Sequence, residues 1–179
     1  MSCPCRCHDC YRLTMAPEFP SATPLPNKSE EWRTDCHWLS PLINGKAVLI
    51  RRGFYTDWAS IPRFAWRVIG HPTSKYLIGH ALPHDALYAA ELMPRDDCDE
   101  WFLTSMAKAA ENYPLEVGWA KRNAIWSAVR VGGGFVWGKH KAAGIEAARK
   151  LVTLLDVEEW DAYRRLGCLV EVVDPSTLM

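Results

Sequence analysis

The chain has 179 residues, of which 49% are apolar and 23% charged; this composition supports a folded core and excludes a disordered or fibrous protein. Its 21 basic and 21 acidic residues give a formal net charge of zero, so no nucleic-acid partner is expected. No apolar run reaches the roughly 18 residues of a membrane-spanning helix, and the N-terminus does not resemble a signal peptide. We therefore expect the chain to be made and folded in a cytoplasm.

Residues 1–28 differ in composition from the rest, with four cysteines followed by four prolines and no hydrophobic period. This pattern predicts an N-terminal tail, extended in its second half, before a single domain over residues 29–179. The dense thiols indicate a zinc site or an iron–sulfur cluster, or else a flexible tail or an oxidised cysteine cluster. The cysteines concerned are Cys3, Cys5, Cys7 and Cys10.

The next segment is typical of strands. Asn44-Gly45 is a hairpin turn signal, and the apolar, β-branched stretch Lys46–Tyr55 follows it. Its expected partner strand is Glu31–Leu39.

From Ser60 onward the apolar spacing is mostly helical. Gly132-Gly133-Gly134 is interpreted as a flexible joint between helices, and Cys168–Val173 as a final strand. The sequence therefore predicts an α+β fold, in which a small antiparallel sheet packs with a mostly helical body of about five helices. The helices are predicted over residues 60–69, 74–90, 95–111, 114–131 and 139–155, with a short one over 158–166.

The second predicted helix is apolar on all sides, which is typical of a buried helix, yet it contains His80, His84 and Asp85. A buried carboxylate requires a cation, a metal, backbone donors or a water-filled pocket. Pro83 predicts either a kink in this helix or a helix that begins there.

Asp99 falls within the apolar stripe of the third predicted helix and is therefore a second inward-pointing carboxylate. One interpretation is a structural ion pair of Asp85 or Asp99 with an arginine. The other is a site where both carboxylates meet His84. The arginines considered are Arg63, Arg67 and Arg122, and the further site candidates are His80 and Asp57.

Asp57 and Ser60 stand where a strand leads into a helix N-terminus. Backbone N–H groups at such a position hold anions, although each residue alone is most simply a cap.

Three segments in this order resemble one protein family, domain-of-unknown-function family 1353. They are Gly53–Arg63, His84–Tyr88 and Arg95–Asp99, with Phe102 one turn later. The resemblance extends over about residues 30–137 and leaves out the cysteine tail.

The resemblance implies a gene of tailed bacteriophages or prophages, often near tail genes. The positions of the family motif coincide with the polar residues that are singled out above by their expected burial. The motif positions are Asp57, Ser60, Pro62, Arg63, His84, Asp85, Tyr88 and Asp99.

Two functions follow as expectations. The first is a structural or assembly component at the tip or hub of a phage tail, part of the virion, with other tail proteins as partners and Trp119 and Trp137 as surface anchors. The second is a metal-dependent hydrolase carried by the tail, with zinc on His84 and acidic residues, acting on peptidoglycan peptides. A phosphohydrolase is a weaker variant of the second. The candidate catalytic residues are His84, Asp85, Asp57 and Asp99, and the candidate metal ligands are His80, His84 and Asp99.

Overall fold

The computed structural model describes residues 13–15, 20–26, 28–57, 77–111 and 118–166. The predicted helix over residues 60–69, the final strand Cys168–Val173 and the four tail cysteines lie outside these residues. The α+β fold is confirmed. The strands of the described residues are β1 (Leu13–Met15), β2 (Ala22–Leu25), β3 (Lys28–Thr34), β4 (His37–Leu39), β5 (Ala47–Ile50), β6 (Tyr55–Thr56) and β7 (Val152–Leu155). The helices of the described residues are α1 (Ile78–Ala90), α2 (Arg95–Ala110), α3 (Trp119–Trp137), α4 (Ala142–Arg149) and α5 (Val157–Leu166).

The strands form two small sheets, ordered β1-β4-β5-β7 and β2-β3-β6. All pairs are antiparallel except β1 with β4. The predicted hairpin is present between β4 and β5, which pair across a turn in which Asn44 (φ 50°) and Gly45 (φ 73°) are both left-handed. These are the backbone angles that favour Asn-Gly in tight hairpins. The predicted strands Glu31–Leu39 and Lys46–Tyr55 are each divided, however, because β3 and β6 belong to the other sheet.

Two strands, β1 and β2, lie within residues 1–28, where the sequence predicts a tail. β1 joins the first sheet beside β4, and β2 pairs with β3. The second half of this segment is predicted to be extended, and β2 has an extended backbone. The division of the chain at residue 28 stays a prediction.

Helix α1 lies at the centre of the fold. Its residues from Ala81 to Tyr88 are all buried, as the apolar sequence of this helix predicts. Pro83 lies inside the helix, so the helix does not begin there. One side of α1 packs on the sheet around Val48 and Ile50, and another packs on α2. Its polar side chains therefore face other secondary structure elements.

Two predicted elements differ in the structure. Helix α3 continues through Gly132-Gly133-Gly134 to Trp137, so the interpretation of these glycines as a flexible joint is wrong. The predicted helix over residues 139–155 is also wrong beyond Arg149, because Val152–Leu155 forms β7 and pairs with the whole of β5. The β-branched Val152 and Thr153 suit a strand, and pairing with β5 outweighs the helical spacing of the apolar residues.

Candidate functional site

The first part of the site is a buried carboxylate, Asp99 on α2. Its Oδ1 accepts hydrogen bonds from two residues one turn apart on α1, His84 Nε2 at 2.9 Å and the Tyr88 hydroxyl at 2.5 Å. An ionised carboxylate only accepts, so Nε2 is the protonated nitrogen of His84. The i,i+4 spacing of His84 and Tyr88 places both donors on one face of α1.

The second carboxylate oxygen of Asp99 faces α3. Arg130 Nη1 donates to Asp99 Oδ2 at 2.7 Å and to Asp96 Oδ1 at 2.5 Å. Arg95 donates through Nη2 to the Arg130 carbonyl oxygen at 2.8 Å, and its Nε lies 3.7 Å from Asp99 Oδ2. We call His84, Tyr88, Asp99 and Arg130 the Asp99 network. It ties α1, α2 and α3 to one carboxyl group.

The charges of the network are set by these contacts. Burial alone raises the pKa of Asp99, but the hydrogen bonds from His84, Tyr88 and Arg130 outweigh it, and the pKa lies below its ordinary value. Burial, together with the hydrogen bond to Asp99, raises the pKa of Tyr88. Asp99 is therefore an anion, and Tyr88 is a neutral donor near pH 7.

His84 itself is fully buried and packed between rings. Its ring centroid lies 4.3 Å from that of Tyr88 and 4.7 Å from that of Phe102. Among the described residues, no hydrogen-bond partner reaches His84 Nδ1. This side chain is therefore held by Nε2 and by packing.

Two of the three helical glycines in α3 make room for the network. A Cβ on Gly133 would stand 2.6 Å from the Tyr88 hydroxyl oxygen, and one on Gly134 would stand 2.7 Å from Arg95 Nη1. Real Cβ atoms essentially never show such distances. The glycines therefore allow α3 to approach α1 and α2 closely.

The second part of the site is an open cleft of about 420 Å³ between the second sheet, α1 and the end of α3. Asp85 stands in it with only 7% of its surface exposed, and Thr56 of β6 donates to Asp85 Oδ2 at 2.5 Å. Tyr88 lines the cleft, and its hydroxyl donates to Asp99, so the two parts of the site share this residue. The cleft is lined by Glu31, Phe54, Tyr55, Thr56, Asp57, Asp85, Tyr88, Ala89, Val136, Lys139 and His140.

The comparisons with known proteins give one match. The family described as "Protein of unknown function (DUF1353)" matches residues 36–129, just over half of the chain. The chain belongs to the DUF1353 family. No curated protein and no solved structure matches the chain.

The motif positions that DUF1353 implies fall into the two parts of the site. His84, Tyr88 and Asp99 belong to the Asp99 network, whereas Asp57 and Asp85 line the cleft. His84 and Asp85 are adjacent in the chain, yet they serve different parts. Ser60, Pro62, Arg63 and the four tail cysteines lie outside the described residues, so their roles stay predictions.

The predicted ion pair to Asp99 exists with a different cation. Arg130 holds Asp99, not Arg122, while Arg63 and Arg67 lie outside the described residues. Burial of Asp99 predicts that some cation is needed, but the choice of Arg130 follows from the crossing of α2 and α3. Arg130 lies one residue beyond the segment that the DUF1353 family matches.

Several residues of the cleft were not singled out from the sequence. Lys139 and His140 line the cleft, whereas the sequence indicates only that they begin a predicted helix. Thr56 also lines the cleft, and only its place in the family motif marks it in the sequence. His140 Nδ1 lies 3.0 Å from Glu91 Oε1, which fixes the ring at the edge of the cleft.

The candidate metal ligands are only partly brought together. His84 Nε2 is bonded to Asp99, and burial lowers the pKa of His80 to about 4. Among the described residues, no group of three or more His, Cys, Asp or Glu side chains is placed to hold a metal ion. Zinc and iron–sulfur binding stay predictions, as does the role of the cysteine tail.

Proposed function

We propose that this DUF1353 protein is a structural or assembly component of a bacteriophage tail, made in the host cytoplasm and incorporated into the virion. The observation that carries the proposal is the Asp99 network, in which both oxygens of a buried carboxylate are used to join three helices. A scaffold requires buried polar groups to be satisfied internally, whereas a catalytic carboxylate must reach substrate or water. The sequence resemblance implies a phage gene, often near tail genes, and this is the reason for proposing a tail protein.

Large apolar side chains exposed on α3 support a protein partner. Trp119 is 70% exposed, Val131 71% and Phe135 76%, and aromatic side chains such as Trp119 are enriched at protein interfaces. Trp119 is thus on the surface, as predicted for an anchor. Trp137 instead packs edge-on against Tyr88, with ring centroids 5.0 Å apart. Within the described residues, no helix is long and apolar enough to cross a membrane.

The experiment is a test of particle composition in a phage that encodes this chain. We expect the protein in purified particles and tail-defective particles when its gene is deleted. Complementation with Phe135→Ser should fail, whereas Val157→Ser, which changes another exposed apolar side chain on α5, should restore tails. Intact infectious particles from the deletion strain, with no copy of the protein in wild-type particles, would contradict the proposal.

A tail-borne hydrolase is the second candidate, favoured by one observation. Two motif carboxylates, Asp57 and Asp85, line the same cleft, and paired carboxylates supply general acid–base chemistry. Zinc would add a metal-activated water if the chain binds it. The substrate class is the peptide part of peptidoglycan.

Incubation of the full chain with purified peptidoglycan, with and without added Zn²⁺, tests the second candidate. Release of new peptide amino groups that is lost in Asp85→Asn but kept in Asp97→Asn, an exposed acid on α2, would support it. Equal release by the parent protein and Asp85→Asn would reject it.

A further inference from the structure

The outward face of α3 carries no charged side chain. From Ala120 onward, its exposed positions recur at intervals of three and four residues, which is the spacing of one helical face. They are Ala120, Ala124, Ser127, Val131 and Phe135, with Gly138 just beyond the helix. The exposed face of a helix in a globular protein is normally polar, so this neutral face is suited to contact with another macromolecule.

Lysines, and no acids, border this face. Residues 118–145 contain no Asp or Glu. Lys121 and Lys139 are 18 residues apart, which is five turns at about 3.6 residues a turn, so both lie along the same border. Within the described residues, neither lysine forms an ion pair. The face is therefore neutral at its centre and positively charged along one side.

The outward face of α2 lies beside the α3 face and is acidic. Arg130, on the second border of the α3 face, donates to Asp96 of α2, so the two helices present one surface. The exposed base of α2, Lys108, is turned to the β4–β5 hairpin, where it donates to the Leu42 carbonyl oxygen. The exposed acids of α2 and of its C-cap are Asp96, Asp97, Glu100 and Glu111.

The acidic face of α2 complements the α3 face. Leu103 and Ala107 are half-buried and lie between Glu100 and Glu111 on one side of α2, at the spacing that the α3 face also shows. Among the described residues, no ion pair engages Glu100 or Glu111. Both acids are thus available to lysines of another molecule, while the small side chains of α3 allow a helix to pack closely.

The two helices run in opposite directions. Arg95 at the start of α2 reaches Gly134 near the end of α3, and Met106 near the end of α2 shares a hydrophobic cluster with Ile125 near the start of α3. A two-fold axis that runs between α2 and α3 therefore sets α3 of one copy antiparallel to α2 of the other. Four helices then form an antiparallel bundle.

We propose that the α2–α3 surface joins two copies of this chain in this way, with α3 of each copy packed on α2 of the other. At this register Lys121 lies level with the stretch between Glu100 and Glu111 of the second copy. A two-fold axis across the helices would instead set acids against acids and lysines against lysines, at a cost in binding free energy. A membrane surface is disfavoured because the face holds mainly Ala, Ser and Gly, whereas interfacial helices insert bulky apolar side chains.

The first measurement is the mass of the full chain in solution. Sedimentation equilibrium in reducing buffer, which keeps the cysteines from cross-linking, should approach twice the chain mass of 20.3 kDa as the concentration rises. The mass of one chain at every concentration would overturn the inference, whether the protein then binds another protein or vesicles of phosphatidylserine. The test needs no phage, so dimerisation and the proposed tail role can fail independently.

Charge-reversed variants test which helices meet. The α2-reversed protein carries Glu100→Lys and Glu111→Lys, and the α3-reversed protein carries Lys121→Glu and Lys139→Glu. Each alone should dimerise at least about tenfold more weakly than the parent, because both helix contacts then bring like charges together. An equimolar mixture should form a heterodimer with about the parent affinity, because both contacts again join opposite charges.

The matched control is Glu158→Lys with Asp161→Lys, which reverses two exposed acids of α5 and should dimerise like the parent. An α2-reversed protein that dimerises as strongly as the parent would reject the pairing of unlike helices, as would reversed proteins that stay monomeric when mixed. If a reversed protein fails to fold, the salt dependence of the parent dimer decides. Added NaCl should weaken a dimer held by opposite charges, and a dimer that salt leaves unchanged or strengthens would reject the pairing.

Discussion

Asp99 connects three helices through the hydrogen bonds of one side chain. A buried carboxylate is unfavourable unless charged or polar donors replace its water, and Asp99 has donors from α1 on one oxygen and from α3 on the other. Its own helix adds Arg95 at 3.7 Å. An asparagine at this position has one acceptor oxygen and one NH2 donor, so either His84 or Arg130 loses the acceptor for which it is placed.

The pH dependence of stability tests this residue. The folded protein holds the pKa of Asp99 below its ordinary 3.8, so its stabilising contribution is complete above that value and is lost as the pH falls through the folded pKa. Asp99→Asn should lower the free energy of unfolding at pH 7 by about 3 kcal/mol, measured by urea denaturation.

The same variant should lose less stability than the parent when the pH is lowered below about 4, because it has no carboxylate to protonate. Asp97→Asn, an exposed acid on the same helix, is the control and should follow the parent curve closely. Parallel acid limbs for the parent and Asp99→Asn would show that Asp99 is not held as an anion by the network.

From the sequence alone, the buried polar residues could be predicted, but their partners could not. Helical spacing and burial single out His84, Asp85 and Asp99 because polar groups are rare on apolar faces. They cannot show that His84 and Asp85 point to different parts of the site, since this depends on whether α2 or β6 lies beside each face of α1. They also give no signal for Arg130, which reads as an ordinary arginine on an amphipathic helix.

At the scale of elements, α3 departs most from expectation. Three consecutive glycines favour a break, because glycine is costly inside a helix. The helix continues because the missing side chains permit close contact with Tyr88 and Arg95. Tertiary packing thus outweighs local propensity at this point, and the sequence alone does not contain the neighbouring helices.

Two glycine substitutions should have opposite effects. Gly133→Ala gains helix propensity but places a Cβ 2.6 Å from the Tyr88 hydroxyl, so we expect a net loss of about 1–2 kcal/mol in the free energy of unfolding. Gly144→Ala on α4 has nothing within 4 Å of its Cβ and should gain up to about 1 kcal/mol. Chemical denaturation measures both. A stabilised Gly133→Ala protein would mean that α3 does not depend on close approach to Tyr88.

The other elements show where pattern reasoning succeeds. The bounds of α2 and α5 agree with the predicted ranges 95–111 and 158–166 to within a residue, and the Asn44-Gly45 hairpin has the predicted turn. The strand β7 was missed because Val152 and Leu155 also fit a helical spacing with Ala148. This segment forms a strand rather than a helix because it pairs with the edge of β5, and this pairing is not visible in the sequence.

Across the molecule, the network and the cleft form one unit. Three helices meet at Asp99, and Tyr88, which donates to Asp99, also lines the cleft beside the second sheet. The DUF1353 match covers α1 and α2, but it stops before Arg130 and Gly133 and before Lys139 and His140 in the cleft. The complete unit therefore needs both the matched segment and the residues that follow it.

A double-mutant cycle between α1 and α3 tests this account most directly. Tyr88→Phe removes one donor to Asp99 Oδ1, and Arg130→Met removes the donor to Oδ2, so the two changes act through the same carboxylate. The free energies of unfolding of the parent, the single variants and the double variant give their coupling. We expect a coupling of about 1–2 kcal/mol. Effects that add to within about 0.3 kcal/mol would contradict a shared network, since independent sites behave in that way.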